Sequence, residues 1–271
     1  MAVTKVHHLN LCTMCPLGGS LFADRMVAHA LLVESSAGVV LVDTGMGLDD
    51  VRAPRARLGT GMVAFVRPQL GEEDTAARQI ERLGFSRDDV RDIVVTHLDA
   101  DHAGGLPDFA KARVHVHRRE HEAAIARATM KERERYRLPQ IAHGPRWELH
   151  DAGGDRWFGF ESVRVVSDDV VLVPLPGHTR GHCAVAVRTP AGSDVDWLLH
   201  AGDAYFHHGE LTDPEASPVG LRLFQRVIAM DDGLRRANAA RLRELHASPD
   251  GKRVSIFSAH CPTELDRFTS S

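Results

Sequence analysis

A chain of 271 residues with 43% hydrophobic and 26% charged positions has ordinary globular composition, which excludes a disordered tail protein, a coiled coil or a collagen-like chain. Its 33 Lys and Arg against 37 Asp and Glu leave a formal charge of −4, which excludes the basic footprint expected of a nucleic-acid binder. No uncharged apolar run approaches the roughly 18 residues of a membrane span, so no membrane partner is expected.

The opening MAVTKVHHLNLC lacks the apolar core of a secretory leader, which points to the cytoplasm. Cys12, Cys15, Cys183 and Cys261 are too few to staple a chain of this size, in keeping with a reducing compartment. Residues 27–34 and 38–43 are apolar runs joined by Ser35-Ser36-Ala37-Gly38, the pattern of a hairpin. Residues 47–71, with Pro54, Gly59, Gly61 and Pro68, read as an irregular excursion. Ala76, Ala77, Ile80 and Leu83 then recur at helical spacing before Gly84, predicting a helix over 72–83. Residues 93–96 read as a buried strand, 114–117 as another, and 118–135 as a charged helix with a solvated face. Further strands are expected at 163–166, 170–174, 183–188, 197–200 and 253–258, with a helix at 232–246. Strands and helices alternate in both halves with no linker between them. Residues 1–271 are therefore expected to form one α/β domain of layered sheets with helices outside.

Seventeen histidines against two tyrosines and three tryptophans point to metal or proton chemistry. The sharpest signal is His97-x-Asp99-x-Asp101-His102-x-Gly104-Gly105, four potential ligands in six residues directly after a strand. Imidazoles and carboxylates together suit divalent first-row metals, and the paired glycines let the backbone turn tightly beside them. By itself this run reads as a surface loop. Three more signals follow strands: Pro176-Gly177-His178-Thr179-x-Gly181-His182, Gly202-Asp203 and Ala259-His260-Cys261-Pro262.

This ordered set resembles the metallo-β-lactamase superfamily, with its HxHxDH loop, later GH(T/S)xGH histidine, GD aspartate and final histidine. Asp43-Thr44-Gly45 is similar to the family's early structural aspartate turn, so the likeness spans nearly the whole chain. It implies a four-layer αββα sandwich with two divalent metal ions at the open edge of two sheets. His97, Asp99 and His178 would hold one ion, Asp101, His102 and His260 the other, and Asp203 would bridge them. A metal-bridging hydroxide is then the implied nucleophile, with Asp101 orienting it and shuttling a proton to the leaving group. Zinc is the metal the family implies. Asp99 stands where the family usually has its second histidine. Asp99, Asp101 and Asp203 make a harder and more negative ligand shell, which suits Mn or Fe as well.

The layout is similar to that of the acyl-homoserine lactonase branch, which implies a small ester-like substrate, a lactone first. Tyr205 lies two residues after Asp203, whereas that branch carries its substrate-contacting tyrosine three residues on. A catalytic role for Tyr205 therefore stands beside simple packing. Phe65, Phe206 and Phe224 are candidates to line an apolar acyl-chain slot, and the stretches 47–71 and 205–224 to rim the pocket. Competing readings are a glyoxalase II-like thioesterase, a phosphodiesterase, and a degenerate metal-binding sensor on the same fold. Cys12-x-x-Cys15, His115 with His117, His7-His8 and His207-His208 carry no assigned role, and Cys183 and Cys261 read as packing residues. His182 reads as a support beside the cluster.

Overall fold

The structure, a computed structural model, describes residues 2–36 and 38–269. A first sheet contains β1 (Val3–Met14), β2 (Met26–Ser35), β3 (Gly38–Val42), β4 (Pro68–Gln69), β5 (Val90–Val94), β6 (Arg113–His117) and β7 (Arg146–His150). A second contains β8 (Asp155–Trp157), β9 (Phe160–Ser167), β10 (Val170–Pro174), β11 (Cys183–Arg188), β12 (Trp197–His200) and β13 (Val254–Phe257). The strand orders are β4-β1-β2-β3-β5-β6-β7 and β13-β12-β11-β10-β9-β8. β1, β2 and β3 pair antiparallel, and β3, β5, β6 and β7 run parallel. The second sheet is antiparallel except for the parallel pair β12 and β13.

Side chains alternate across a strand, so each apolar run feeds two cores. Leu31, Val33, Val40, Val42 and Val94 from one sheet meet Leu172, Val185, Val187, Leu198 and Phe257 from the other. On the opposite face of the first sheet, Leu32, Leu41 and Ile93 share a core with Ala76, Ala77 and Ile80 of the helix Ala76–Arg82. On the far face of the second sheet, Val171, Val173, Ala186 and Leu199 pack with Leu242 and Leu245 of the helix Asp232–Ala247. These three cores define the expected αββα sandwich. Among the described residues no helix is long and apolar enough to cross a membrane.

The hairpin forms as β2 and β3, while Ala37, placed in its turn, lies outside the described residues. Three elements differ from expectation. β1 has no clear period because its register against β2 shifts twice, between Val3 and Lys5 and between Asn10 and Thr13. Residues 47–71 hold three short helices, Leu48–Arg52, Pro54–Leu58 and Thr60–Val66, each too brief to show an apolar face in sequence. The charged helix is two helices, Arg118–Ala126 and Met130–Arg135. Arg127 closes the first at φ 43°, and Thr129 with Glu132 forms a capping box that starts the second.

Candidate active site

The candidate ligands sit where strands of the two sheets end. Asp43 follows β3, the run from His97 to His102 follows β5, and His178 lies in the connection from β10 to β11. Asp203 follows β12 and His260 follows β13. All seven candidate ligand side chains come together. His97, Asp99 and His178 offer three donor atoms within 4.8 Å of one another, and so do Asp101, His102 and His260. Asp203 lies between the two sets. Its Oδ2 is 3.2 Å from His178 Nε2, 3.9 Å from His97 Nε2 and 3.2 Å from His260 Nε2, while its Oδ1 is 3.2 Å from His102 Nε2 and 3.1 Å from His260 Nε2. A carboxylate within reach of the histidines of both sets has the disposition a bridging ligand needs.

The remaining bonds of the histidines decide which nitrogen faces inward. Thr96 Oγ1 donates to Asp43 Oδ2 at 2.8 Å, so the same hydroxyl accepts from His97 Nδ1 at 2.9 Å. His102 Nδ1 donates to Asp43 Oδ2 at 2.8 Å, and His260 Nδ1 donates to the Val27 carbonyl at 2.8 Å. Each ring therefore carries its outer proton on Nδ1 and turns Nε2 to the centre. The Nε2 atoms of His97 and His102 and one oxygen each of Asp99 and Asp203 are buried without hydrogen-bond partners. Such orphaned acceptors are costly unless something positive meets them. The electrostatics agree. Burial opposes the charge on His102, but Asp203, Asp43 and Asp101 outweigh it and hold its pKa well above the ordinary value. Burial likewise opposes ionisation of Asp203, yet His260, His102 and His178 keep its carboxyl well below the usual range. The cluster demands positive charge, and its donor set fits divalent cations. Tetrahedral zinc with bonds near 2.0–2.1 Å separates its ligands by about 3.3 Å. The His97–Asp99 and His178–Asp99 donors lie 3.4 and 3.0 Å apart.

Other buried groups hold these loops. His182 donates from Nδ1 to the Leu175 carbonyl and accepts the Asp203 backbone N–H on Nε2 at 2.9 Å. Both its nitrogens are used, so it supports Asp203 and is no ligand. Gly202, at φ 53°, lies against that ring: a Cβ there would come within 2.5 Å of His182 Nε2. Gly104 has an ordinary helical φ of −60°, so it is not needed for a tight turn. It is needed for close approach, since a Cβ would meet Asp50 Oδ2 at 2.2 Å. Sequence reasoning missed Glu120. It is fully buried and accepts the Leu98 and Gly181 backbone N–H groups at 3.0 Å each, tying the two loops that carry Asp99 and His178.

Tyr205 lies off the cavity beside the ligands. It is buried, and its hydroxyl donates to Glu264 Oε1 at 2.9 Å. Glu264 also accepts the Ser258 N–H at 2.8 Å, so the pair anchors the loop before His260. Burial pushes the Glu264 carboxyl up to about 7 against the opposing pull of those donors. Between its unfolded value near 4.3 and about 7 the unfolded chain releases this proton while the folded chain keeps it. Stability should therefore fall across that window, by roughly 2–4 kcal/mol from this group, and level off above it. Glu264→Gln mimics the protonated acid. Urea unfolding at pH 5 and pH 7 should show a smaller loss in the variant than in the natural chain.

Cys12 is a core residue whose thiol burial pushes up to about 12, and all four cysteines are free. His115 faces inward but bonds Asp92 and His150, forming no part of the cluster. A cavity of about 520 Å³ lies on the ligands, bounded by Asp99, Asp101, His178, Asp203 and His260. Its apolar wall includes Met14, Phe22, Met62, Phe65, Phe206 and Phe224, so all three expected phenylalanines reach it. Lys131, Arg135 and Arg137 add positive charge to the lining. Arg135 was not anticipated. Its Nη1 donates to Asp99 Oδ2 at 2.5 Å, and the pair holds Asp99 well below the carboxylate range against the cost of burial.

Comparison with known proteins agrees with this geometry. The profile of the Metallo-beta-lactamase superfamily matches residues 23–253. A probable metallo-hydrolase of Mycobacterium tuberculosis is 44% identical over 261 residues, covering 95% of this chain and 80% of the relative. An N-acyl homoserine lactonase of Bacillus thuringiensis is 30% identical over 164 residues, covering 60% of this chain and 59% of the relative. Among solved structures, an N-acyl homoserine lactone hydrolase with N-hexanoyl-L-homoserine at its catalytic metal centre superposes with a TM-score of 0.73 at 24% identity, covering 98% of this chain and 97% of that one. A dizinc quorum-quenching lactonase gives a TM-score of 0.60 at 16% identity, covering 96% and 86%. These two structural likenesses are of fold.

Proposed function

The chain belongs to the metallo-β-lactamase superfamily and is a metal-dependent hydrolase, and from that premise we propose that it opens lactones bearing an apolar acyl group, with two divalent cations at its centre. Residues 1–271 act as one catalytic unit in the cytoplasm on a small molecule, without nucleic acid or membrane. The observation that carries the reading is a cavity of about 520 Å³ whose apolar walls lead to seven converging ligand side chains. An acyl chain suits Phe65, Phe206 and Phe224, and an ester carbonyl suits the cluster. The lactone hydrolases that share this fold support the same substrate class.

His97, Asp99 and His178 would hold one cation, Asp101, His102 and His260 the other, with Asp203 across both. The cations would be zinc by family, with Mn or Fe suited to three carboxylates. When bound, they supply Lewis acidity to the substrate carbonyl and lower the pKa of a water. The chain's own residues do the rest. Asp101 borders the cavity, and its carboxylate takes a proton from the attacking water and returns it to the ring oxygen. Oxygen from water bonds to the carbonyl carbon, the ring carbon–oxygen bond breaks, and a hydroxy acid leaves. The apolar wall seats the acyl group and keeps bulk water out. Tyr205 is given no step, because its hydroxyl is committed to Glu264.

A substrate panel tests this. The purified protein should release acid from N-acyl homoserine lactones, and Asp101→Asn should lose on the order of 10²-fold or more in kcat. Turnover of a glutathione thioester or of bis(p-nitrophenyl) phosphate without lactone opening would reassign the substrate. Metal binding without any turnover would favour a sensor.

A further inference from the structure

We propose that Arg135 is a tethered cation seated in the first ligand set, so that the two metal sites fill in sequence: the second tightly, the first only against Arg135. The inference rests on the two-cation reading above. Arg135 ends the helix Met130–Arg135, and its side chain is 8% exposed. Nη1 donates to Asp99 Oδ2 at 2.5 Å and lies 3.0 Å from His178 Nε2. A guanidinium has donors and no acceptor, so the His178 contact uses the ring's lone pair. His178 Nδ1 carries the other proton and has no hydrogen-bond partner. One nitrogen of Arg135 thus engages the His178 lone pair and one of the two Asp99 oxygens that the first ligand set offers to a metal.

The competition is structural. The other guanidinium nitrogen, Nη2, donates to the Ile228 carbonyl. One turn earlier, Lys131 donates to the Val227 and Ala229 carbonyls. The short helix is therefore pinned against the end of the helix Val219–Ile228, and Arg135 is presented to Asp99 by that anchoring. Arginine does not deprotonate inside proteins, so a cation entering this set must either displace the guanidinium from Asp99 Oδ2 or share the carboxylate with it through the unpartnered Oδ1, and in both cases it meets a fixed positive charge. With Arg135 in place the charge of Asp99 is already neutralised. The second set differs. Asp101, His102, His260 and Asp203 Oδ1 contact one another, and no Lys or Arg forms an ion pair with any of them among the described residues. Replacement of the usual histidine by Asp99 and the presence of Arg135 then have one explanation: the carboxylate pairs with the arginine when the first site holds no metal.

Metal stoichiometry tests this without reference to turnover. The chelator-stripped protein is titrated with Zn²⁺ against a chromophoric competitor, as the natural chain and as Arg135→Met. The natural chain should bind one equivalent tightly and a second on the order of 100-fold more weakly. Arg135→Met should bring the two affinities within about tenfold. In parallel, the natural chain is titrated with Mn²⁺ and followed by electron paramagnetic resonance, which needs no variant to fold. One equivalent should give an isolated-ion spectrum, and exchange coupling should grow only with excess. Two equal affinities in the natural chain, coupling at one equivalent, or an unchanged gap in a folded Arg135→Met would overturn the inference and leave the two-cation reading standing. Absence of binding in both proteins would remove both.

Discussion

Replacing Asp203 by alanine is expected to empty both metal sites and lower hydrolysis on the order of 10³-fold or more, while the chain stays folded. The reason is its position between the two sets. Oδ1 lies 3.2 and 3.1 Å from His102 and His260, and Oδ2 lies 3.2 Å from His178. Removing one carboxylate therefore strips a negative ligand from each set and leaves two cations with less charge between them to offset their repulsion. The fold should survive because the structural contact of residue 203 is its backbone N–H to His182, which alanine keeps. Metal analysis, hydrolysis and far-ultraviolet circular dichroism on the same preparation check all three parts. A folded variant with two cations and full turnover would sink the bridging assignment.

The second large effect is expected at Glu120, and it is one of stability. Glu120→Ala removes a buried acceptor from the Leu98 and Gly181 N–H groups and leaves both donors unmet. Hydrogen bonds to charged groups contribute about 1.5–3 kcal/mol each, so the loss should come to about 3–6 kcal/mol. For a domain of this size that lowers Tm by roughly 5–10 °C. Because the loops it joins carry Asp99 and His178, affinity of the first metal site should fall together with Tm. Glu120→Gln keeps one carbonyl acceptor and should recover part of both. Thermal unfolding and metal titration of the two variants decide this, and an unshifted Tm in Glu120→Ala would refute it.

Much of the sandwich is legible in the sequence. β10, β11 and β12 begin and end at the expected residues, because each is a β-branched or apolar run buried on both faces. β1 was not legible, since its pairing slips and mixes faces. The first two short helices between 47 and 71 are held by packing, through Leu48 and Leu58, and leave no periodic trace.

The order of ligands along the chain, each at a strand end, is a property of the sequence, and the family likeness it carries implies one convergent centre. Which charged residues turn inward was decided only by the tertiary structure. Residues 118–135 carry charge around the whole helical circumference, so they define no face and read as solvated. Yet Glu120 and Arg135 are buried in that stretch, because the Leu98 and Gly181 amides, Asp99 and the Ile228 carbonyl compensate them. Those partners are up to 93 residues away, and a charge is tolerated inside a protein only where such partners meet it. Tyr205 shows the converse. Its place beside Asp203 in the chain suggested chemistry, and the distant carboxylate of Glu264 turned its hydroxyl into the scaffold instead.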